Sequence, residues 1–315
     1  MPKKSNKGNF TKIQDSEWGR CGFDLSIYTS PRSKEHPLLL LKGGLGDAGS
    51  HSLKAVTDAI LDITNGEMSV GTVGTLRPFN AYESLRIILS SAEHSRARNQ
   101  RMHSMRRGAD KAIELTGCQF VLLGGQSQGG ITAVDTATKI LSKKSEEPKP
   151  RMAVATIDTP GIYANLDYAG FPLKGLVDLV AHCAPTVAKL SNYEKFRLFK
   201  DNLINPRILV ELPYLLGEVG YLKSIGINDE IQKLRLDGVA VGHIFHGQDI
   251  IEGAVKALED ESAVVFPGTH LTFVEEPAPV AEVLVNMAYE LYNRPSNVIN
   301  LSQMSSFNTP VSLVS

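Results

Sequence analysis

Sulfur crosslinks, long apolar runs and an excess of one charge are all missing from this chain. Its 315 residues include three cysteines, Cys21, Cys118 and Cys183. They are too few and too scattered for a disulfide framework, and none has the close spacing of a zinc or redox motif. They read as buried thiols in a reducing compartment. No stretch reaches the roughly 18 to 20 apolar residues of a membrane-spanning helix. The opening segment MPKKSNKGNFTK carries lysines without the apolar run of a secretory signal. The expected protein is therefore cytoplasmic, with no integral membrane segment. Lysines and arginines number 33 against 34 acidic residues, a net charge of −1, so no global field draws the chain to nucleic acid or to an anionic membrane.

A hydrophobic content of 42% supplies one large core and excludes a disordered chain. The length fits two domains of about 150 residues each or one α/β domain with an insertion. From residue 22 to about 174, short apolar runs alternate with segments of helical spacing, which predicts a mostly parallel sheet covered by helices. The first buried strand is PLLLLK (37–42), expected to pair with the half-buried FDLSIYT before it. Ser50 is placed to cap a helix through Leu53, Val56, Ile60 and Leu61. The strand MSVGTVG follows, then a long loop and a stretch holding Arg96, Arg98, Arg101, Arg106 and Arg107. These arginines fall on several helical faces without interleaved aromatics, so they read as a solvated helix with no nucleic-acid contact. That helix runs on to Gly117, a C-terminal stop.

The strand QFVLLGG, a helix, a hydrophilic linker and the strand MAVATID come next. From 163 to 236 the alternation breaks into helical periods such as GLVDLVAHCAPTVAKL, read as an inserted cap. The strand pattern resumes at VAVGHIFHG, and PAPVAEVLVNMAYELYN forms a final helix. The expected division is a polar tail (1–12), a core (13–162 and 237–292), the cap (163–236) and a C-terminal segment (293–315). The last is either a mobile tail or a strip packed on the surface.

The most specific motif is Gly125-Gln126-Ser127-Gln128-Gly129, a G-x-S-x-G set between an apolar strand and a helix. In that setting the serine occupies a strained turn above the sheet, and the helix N-terminus favours developing negative charge. A serine hydroxyl is a weak nucleophile, so it needs a base oriented by a third group. Asp249 lies in the loop after VAVGHIFHG, and His270 lies in PGTHLTFVEEP before the final helix. Asp158 and Glu252 are substitute acids. His243, His246 and Asp249 form H-x-x-H-x-x-D, but residues three apart on a strand point to opposite faces, so no metal site is expected.

With the elbow GQSQG, the acid loop HGQDIIEG and the histidine loop GTHLTFVEEP in that order, the chain resembles the α/β-hydrolase fold superfamily over residues 22–292 apart from the cap, whose position after the strand that follows the elbow is also similar to that family. The resemblance implies a triad of Ser127, Asp249 and His270. It also implies an oxyanion hole from the amide of Gln128 and that of Leu45 or Gly44. The segment Gly44-Leu45-Gly46-Asp47-Ala48-Gly49 also matches G-x-G-x-x-G. A dinucleotide site wants an acid at the end of the next strand, however, and Glu67 precedes MSVGTVG. The reading is an ester-cleaving hydrolase without cofactor or metal, acting on a small molecule with an apolar acyl or alcohol group under the cap. A thioesterase, acyltransferase or lyase on the same fold is an alternative, as is a non-catalytic protein binding a small molecule in the cap cavity.

Overall fold

A computed structural model of the chain describes residues 8–15, 22–44, 51–76, 91–142, 150–160, 162, 188, 227–247, 260–294 and 298–301. Eight strands, β1 (Asn9–Asp15), β2 (Gly22–Thr29), β3 (Leu38–Lys42), β4 (Ser69–Leu76), β5 (Phe120–Gln126), β6 (Arg151–Ile157), β7 (Val241–His246) and β8 (Ala263–Phe266), form one sheet. Their spatial order is β1-β2-β4-β3-β5-β6-β7-β8. From β4 to β8 every pairing is parallel, whereas β2 runs antiparallel to both β1 and β4. The described helices are α1 (Lys54–Ile63), α2 (Ser91–Thr116), α3 (Gln128–Ser142), α4 (Asn228–Leu236), the short α5 (Thr272–Glu275) and α6 (Pro277–Asn293).

The run Leu38-Leu39-Leu40-Leu41 explains the centre of the sheet. A strand apolar at every position is stable only when both faces are covered. Leu38 and Leu40 join a core built with Met105 and Ala109 of α2, Ile131 and Val134 of α3, and Ile231 and Leu234 of α4. Leu39 and Leu41 face the opposite way, onto Val56 and Ile60 of α1 and Val280 and Leu284 of α6. The two helical layers therefore sandwich the sheet, as the alternation of strands and helices predicts.

Four features differ from the sequence expectation. β3 does not pair with β2: β4 lies between them, because a fully apolar strand gains most from parallel neighbours on both edges, here β4 and β5. Residues 9–12, expected in a polar tail, belong to β1, whose largely exposed pattern suits a polar edge strand. The arginine-rich face of α2 is not simply solvated. Arg98 makes two 2.6 Å bonds to Asp135 of α3, Arg107 reaches Asp15 of β1 at 2.6 Å and lies over the Phe23 ring, and Arg101 is buried. The carboxylate partners of Arg98 and Arg107 come from distant segments, so helical periodicity could not find them. Finally α4, in the stretch assigned to the cap, packs on α3 and β7 as part of the sheet's own helical layer.

Ser50 and residues 163–187 and 189–226, which make up most of the expected cap, lie outside the described residues. Of the C-terminal segment, Ile299 and Leu301 are buried in the core, and the Leu301 amide bonds Glu261 O at 2.9 Å. That part is a packed strip. Among the described residues no helix is long and apolar enough to cross a membrane.

His243 and His246 of β7 point to opposite faces, as their spacing requires. His243 sits with Val241 and Phe245 on one side and bonds Thr156 Oγ1 of β6 at 2.8 Å. Burial pushes the His243 imidazole down to about 3, Arg235 adds to the shift and Asp260 opposes it. The folded protein thus holds a neutral ring where the unfolded chain takes up a proton at about pH 6.5. Between these values the unfolded state binds more protons, so this contribution is complete above about pH 6.5 and is lost progressively as pH falls toward 3. The expected outcome is a thermal midpoint that drops between pH 6 and 4, with a shallower drop in His243→Gln. Thermal denaturation across that range, on both proteins, checks it.

Candidate functional site

β5 ends at Gln126, the chain turns at Ser127, and α3 begins at Gln128. Ser127 has φ of +52°, in the left-handed region that non-glycine residues rarely occupy. The strain is held by neighbours. The Ser127 amide donates to Ile157 O of β6 at 2.7 Å, and Ser127 O accepts from the Gly130 amide at 3.0 Å. The last glycine of the motif is required by close approach: a Cβ on Gly129 would stand 2.1 Å from the Lys42 carbonyl oxygen and 2.7 Å from that of Gly43. The first turn of α3 therefore rests directly on the end of β3.

That crossing carries the loop after β3 to the elbow. An added Cβ on Gly44 would lie 3.0 Å from Ser127 Cβ and 2.5 Å from Gln126 Oε1. Gly44 thus borders the serine. Gln128, buried as the first residue of α3, has its amide among the helix N-terminal donors that no helical carbonyl can reach. Leu45, the other expected donor on the β3 loop, lies outside the described residues.

His270 follows β8 and precedes α5, in the loop where the sequence places it. It is buried, and its Nε2 lies 2.8 Å from Gln126 Nε2. Ser127, Gly44, Gln128 and His270 therefore converge at the C-terminal ends of β3 and β5, the end where open parallel sheets bind ligands. Asp249 and Glu252 lie outside the described residues.

Asp158, the other substitute acid, follows β6 with φ of +45°. It is fully buried and committed elsewhere: its Oδ1 accepts the His246 amide at 2.8 Å and its Oδ2 meets His246 Nδ1 at 2.7 Å. The pair ties the end of β6 to the end of β7. Its residues belong to two separate sequence motifs, and nothing in either indicates the partnership.

The residue that sequence reasoning missed is Gln126. It fills an unspecified position of G-x-S-x-G, yet its side chain is buried between Gly44 and His270. An unusual polar residue at the last position of an otherwise apolar strand was the available signal. The described cysteine, Cys118, is buried just before β5, and burial raises its thiol pKa, which keeps it neutral and unreactive.

No protein-family model matches the chain, and no curated protein matches its sequence. Solved structures do match in shape. A carboxylesterase structure from the ammonia-oxidizing thaumarchaeon Nitrososphaera gargenis superimposes with a TM-score of 0.53 at 12% identity, over 89% of this chain and 99% of that one. The peroxisomal alpha-beta-hydrolase of Saccharomyces cerevisiae gives 0.52 at 14%, over 93% and 91%. An enol-lactonase from Burkholderia xenovorans gives 0.51 at 14%, over 88% and 100%. The chain has the α/β-hydrolase fold.

The crossing at the elbow leads to a specific expectation. Gly129→Ala forces a methyl into two backbone carbonyls that cannot move without shifting β3, a destabilisation of about 3 kcal/mol or more. Chemical denaturation followed by circular dichroism measures it, and a loss under about 1 kcal/mol would remove the tight crossing.

Proposed function

We propose that this α/β-hydrolase-fold protein is a serine hydrolase that cleaves a carboxylic ester through an acyl-enzyme on Ser127. The observation that carries the reading is Ser127 itself, held in a left-handed turn between β5 and the start of α3, with His270 bonded to the side chain of the preceding residue, Gln126. Backbone strain of this kind gathers at functional sites.

In the proposed reaction neutral His270 takes the Ser127 proton as Oγ attacks the ester carbonyl. The amides of Gln128 and of Gly44 or Leu45 donate to the oxyanion, worth about 3 kcal/mol for a well-placed donor. Collapse of the tetrahedral intermediate breaks the bond to the leaving alcohol, which receives the proton from His270. Water then attacks the acyl-enzyme, giving a proton to His270, and the acid departs as that proton returns to Ser127. Asp249 orients His270 and offsets the charge of its imidazolium. Asp158 is unsuited to that role, since both its oxygens are bonded to His246. Residues 163–226 would cover an apolar acyl or alcohol group. The carboxylesterase and enol-lactonase among the similar structures favour ester chemistry on this fold.

Two measurements test the reading. The wild-type protein is expected to take a fluorophosphonate label and to hydrolyse p-nitrophenyl esters, with labelling abolished and kcat/KM lowered by about 10³-fold or more in Ser127→Ala. A folded wild-type protein that neither labels nor hydrolyses would remove Ser127 as nucleophile. Activity should also fall with pH once His270 takes up a proton, because only the neutral ring accepts one from Ser127. A profile flat down to pH 4 excludes His270 as the base.

A further inference from the structure

An imidazole Nε2 that accepts a hydrogen bond has one lone pair, in the ring plane, with which to do so. The general base of a serine hydrolase uses that lone pair for the serine hydroxyl. Here it is occupied: Gln126 Nε2 is 2.8 Å from His270 Nε2. With its nitrogen toward the ring, as here, the Gln126 amide donates and the ring nitrogen accepts, which puts the proton of a neutral ring on Nδ1. This is the tautomer that a base needs, but its lone pair points at the wrong partner.

The position of Gln126 is built into the fold. The side chain is buried at 4% exposure, and its Oε1 occupies the place where any Cβ on Gly44 would intrude, 2.5 Å away. Only a glycine at that point of the β3 loop leaves the amide room to lie across to His270. The residue beside the nucleophile and the loop beside the oxyanion site are thus fitted to each other.

Building on His270 as the base for Ser127, we propose that Gln126 is a positioning residue. In the substrate-free protein it holds His270 in the Nδ1-protonated tautomer, and it hands the Nε2 lone pair to Ser127 when substrate enters. The handover has a physical requirement. A buried amide hydrogen taken from its acceptor stays costly until it finds another, and a substrate oxygen entering beside Gly44 supplies one. Substrate binding and activation of the serine are thereby coupled through one side chain.

A donated hydrogen bond to Nε2 stabilises the neutral ring, so removing it raises the affinity of His270 for a proton. The other titratable groups at the surrounding strand ends and on the adjoining α5 are Lys42 on β3, Asp158 just after β6, His246 on β7, Glu275 and Glu276, with Asp249 following β7 in the sequence. The variants below leave all of them in place. In full-length protein labelled with nitrogen-15 histidine, the His270 midpoint followed by NMR is expected to rise by about half a unit to one unit in Gln126→Leu. Gln126→Met, a flexible apolar side chain of similar length, should move it the same way and carries the test should the leucine variant fail to fold. An unchanged or lowered midpoint in the folded variant overturns the proposal. In ester hydrolysis, the midpoint of kcat/KM, which reports the free protein, should rise with the NMR value. That of kcat, which reports the complex, should stay near wild type. Both midpoints moving together would overturn the handover. The NMR titration needs no turnover, so its failure is distinguishable from failure of the hydrolase reading, which would show as an unlabelled, inactive wild-type protein with the histidine shift intact.

Discussion

The end of the sheet that carries the candidate site depends on one close crossing, the first turn of α3 against the carbonyls that end β3. Glycine at 129 permits this contact, since any side chain there would meet the Lys42 oxygen at 2.1 Å. The crossing directs the chain back over the strand it has just left, and Ser127 absorbs the reversal in a left-handed conformation. The cost of such a conformation is of order 1 to 3 kcal/mol. It is offset locally by the bond from its amide to Ile157 O and by packing of the flanking β5 and α3. Relax the crossing, and both the elevation of Ser127 and the approach of Gly44 are lost together.

Around that crossing, the strand ends are joined by buried polar pairs. Thr156 meets His243 within β6 and β7, Asp158 meets His246 just beyond, and Gln126 meets His270 from β5 to the loop after β8. Each leaves little freedom, because a buried polar group separated from its partner loses its hydrogen bond without regaining water. The pairs therefore act as spacers of fixed length between segments far apart in sequence. The Asp158–His246 pair is positioned to fix where the chain leaves the end of β7, and the Gln126–His270 pair fixes the rotation of an imidazole.

Much of this was legible from residues alone, for reasons that differ by element. The strands QFVLLGG and VAVGHIFHG are runs of apolar and small residues too short for helices, and they appear as β5 and β7. The final helix carries an apolar face at helical spacing and forms α6 with Val280, Leu284 and Met287 buried. The elbow was readable because a G-x-S-x-G between strand and helix has one economical geometry. The partner of β3 was not readable, because an apolar strand accepts any apolar neighbour and its register follows from the whole sheet. The fate of Arg98 and Arg107 was equally hidden, since charge pattern along one helix says nothing about a carboxylate on another.

By itself, the sequence determined the periods and the chemistry: which runs must be strands or helices, and which serine and histidine could face each other across the sheet's end. These follow from local spacing and from side-chain type, which no fold can alter. Tertiary structure alone decided the partners. It placed β4 between β2 and β3, committed Asp158 to His246, and turned Gln126 from a spacer into the donor that occupies His270. The reason is physical. A hydrogen bond between residues 126 and 270 depends on distances of a few tenths of an ångström, set by the packing of two helical layers on eight strands and by no local rule.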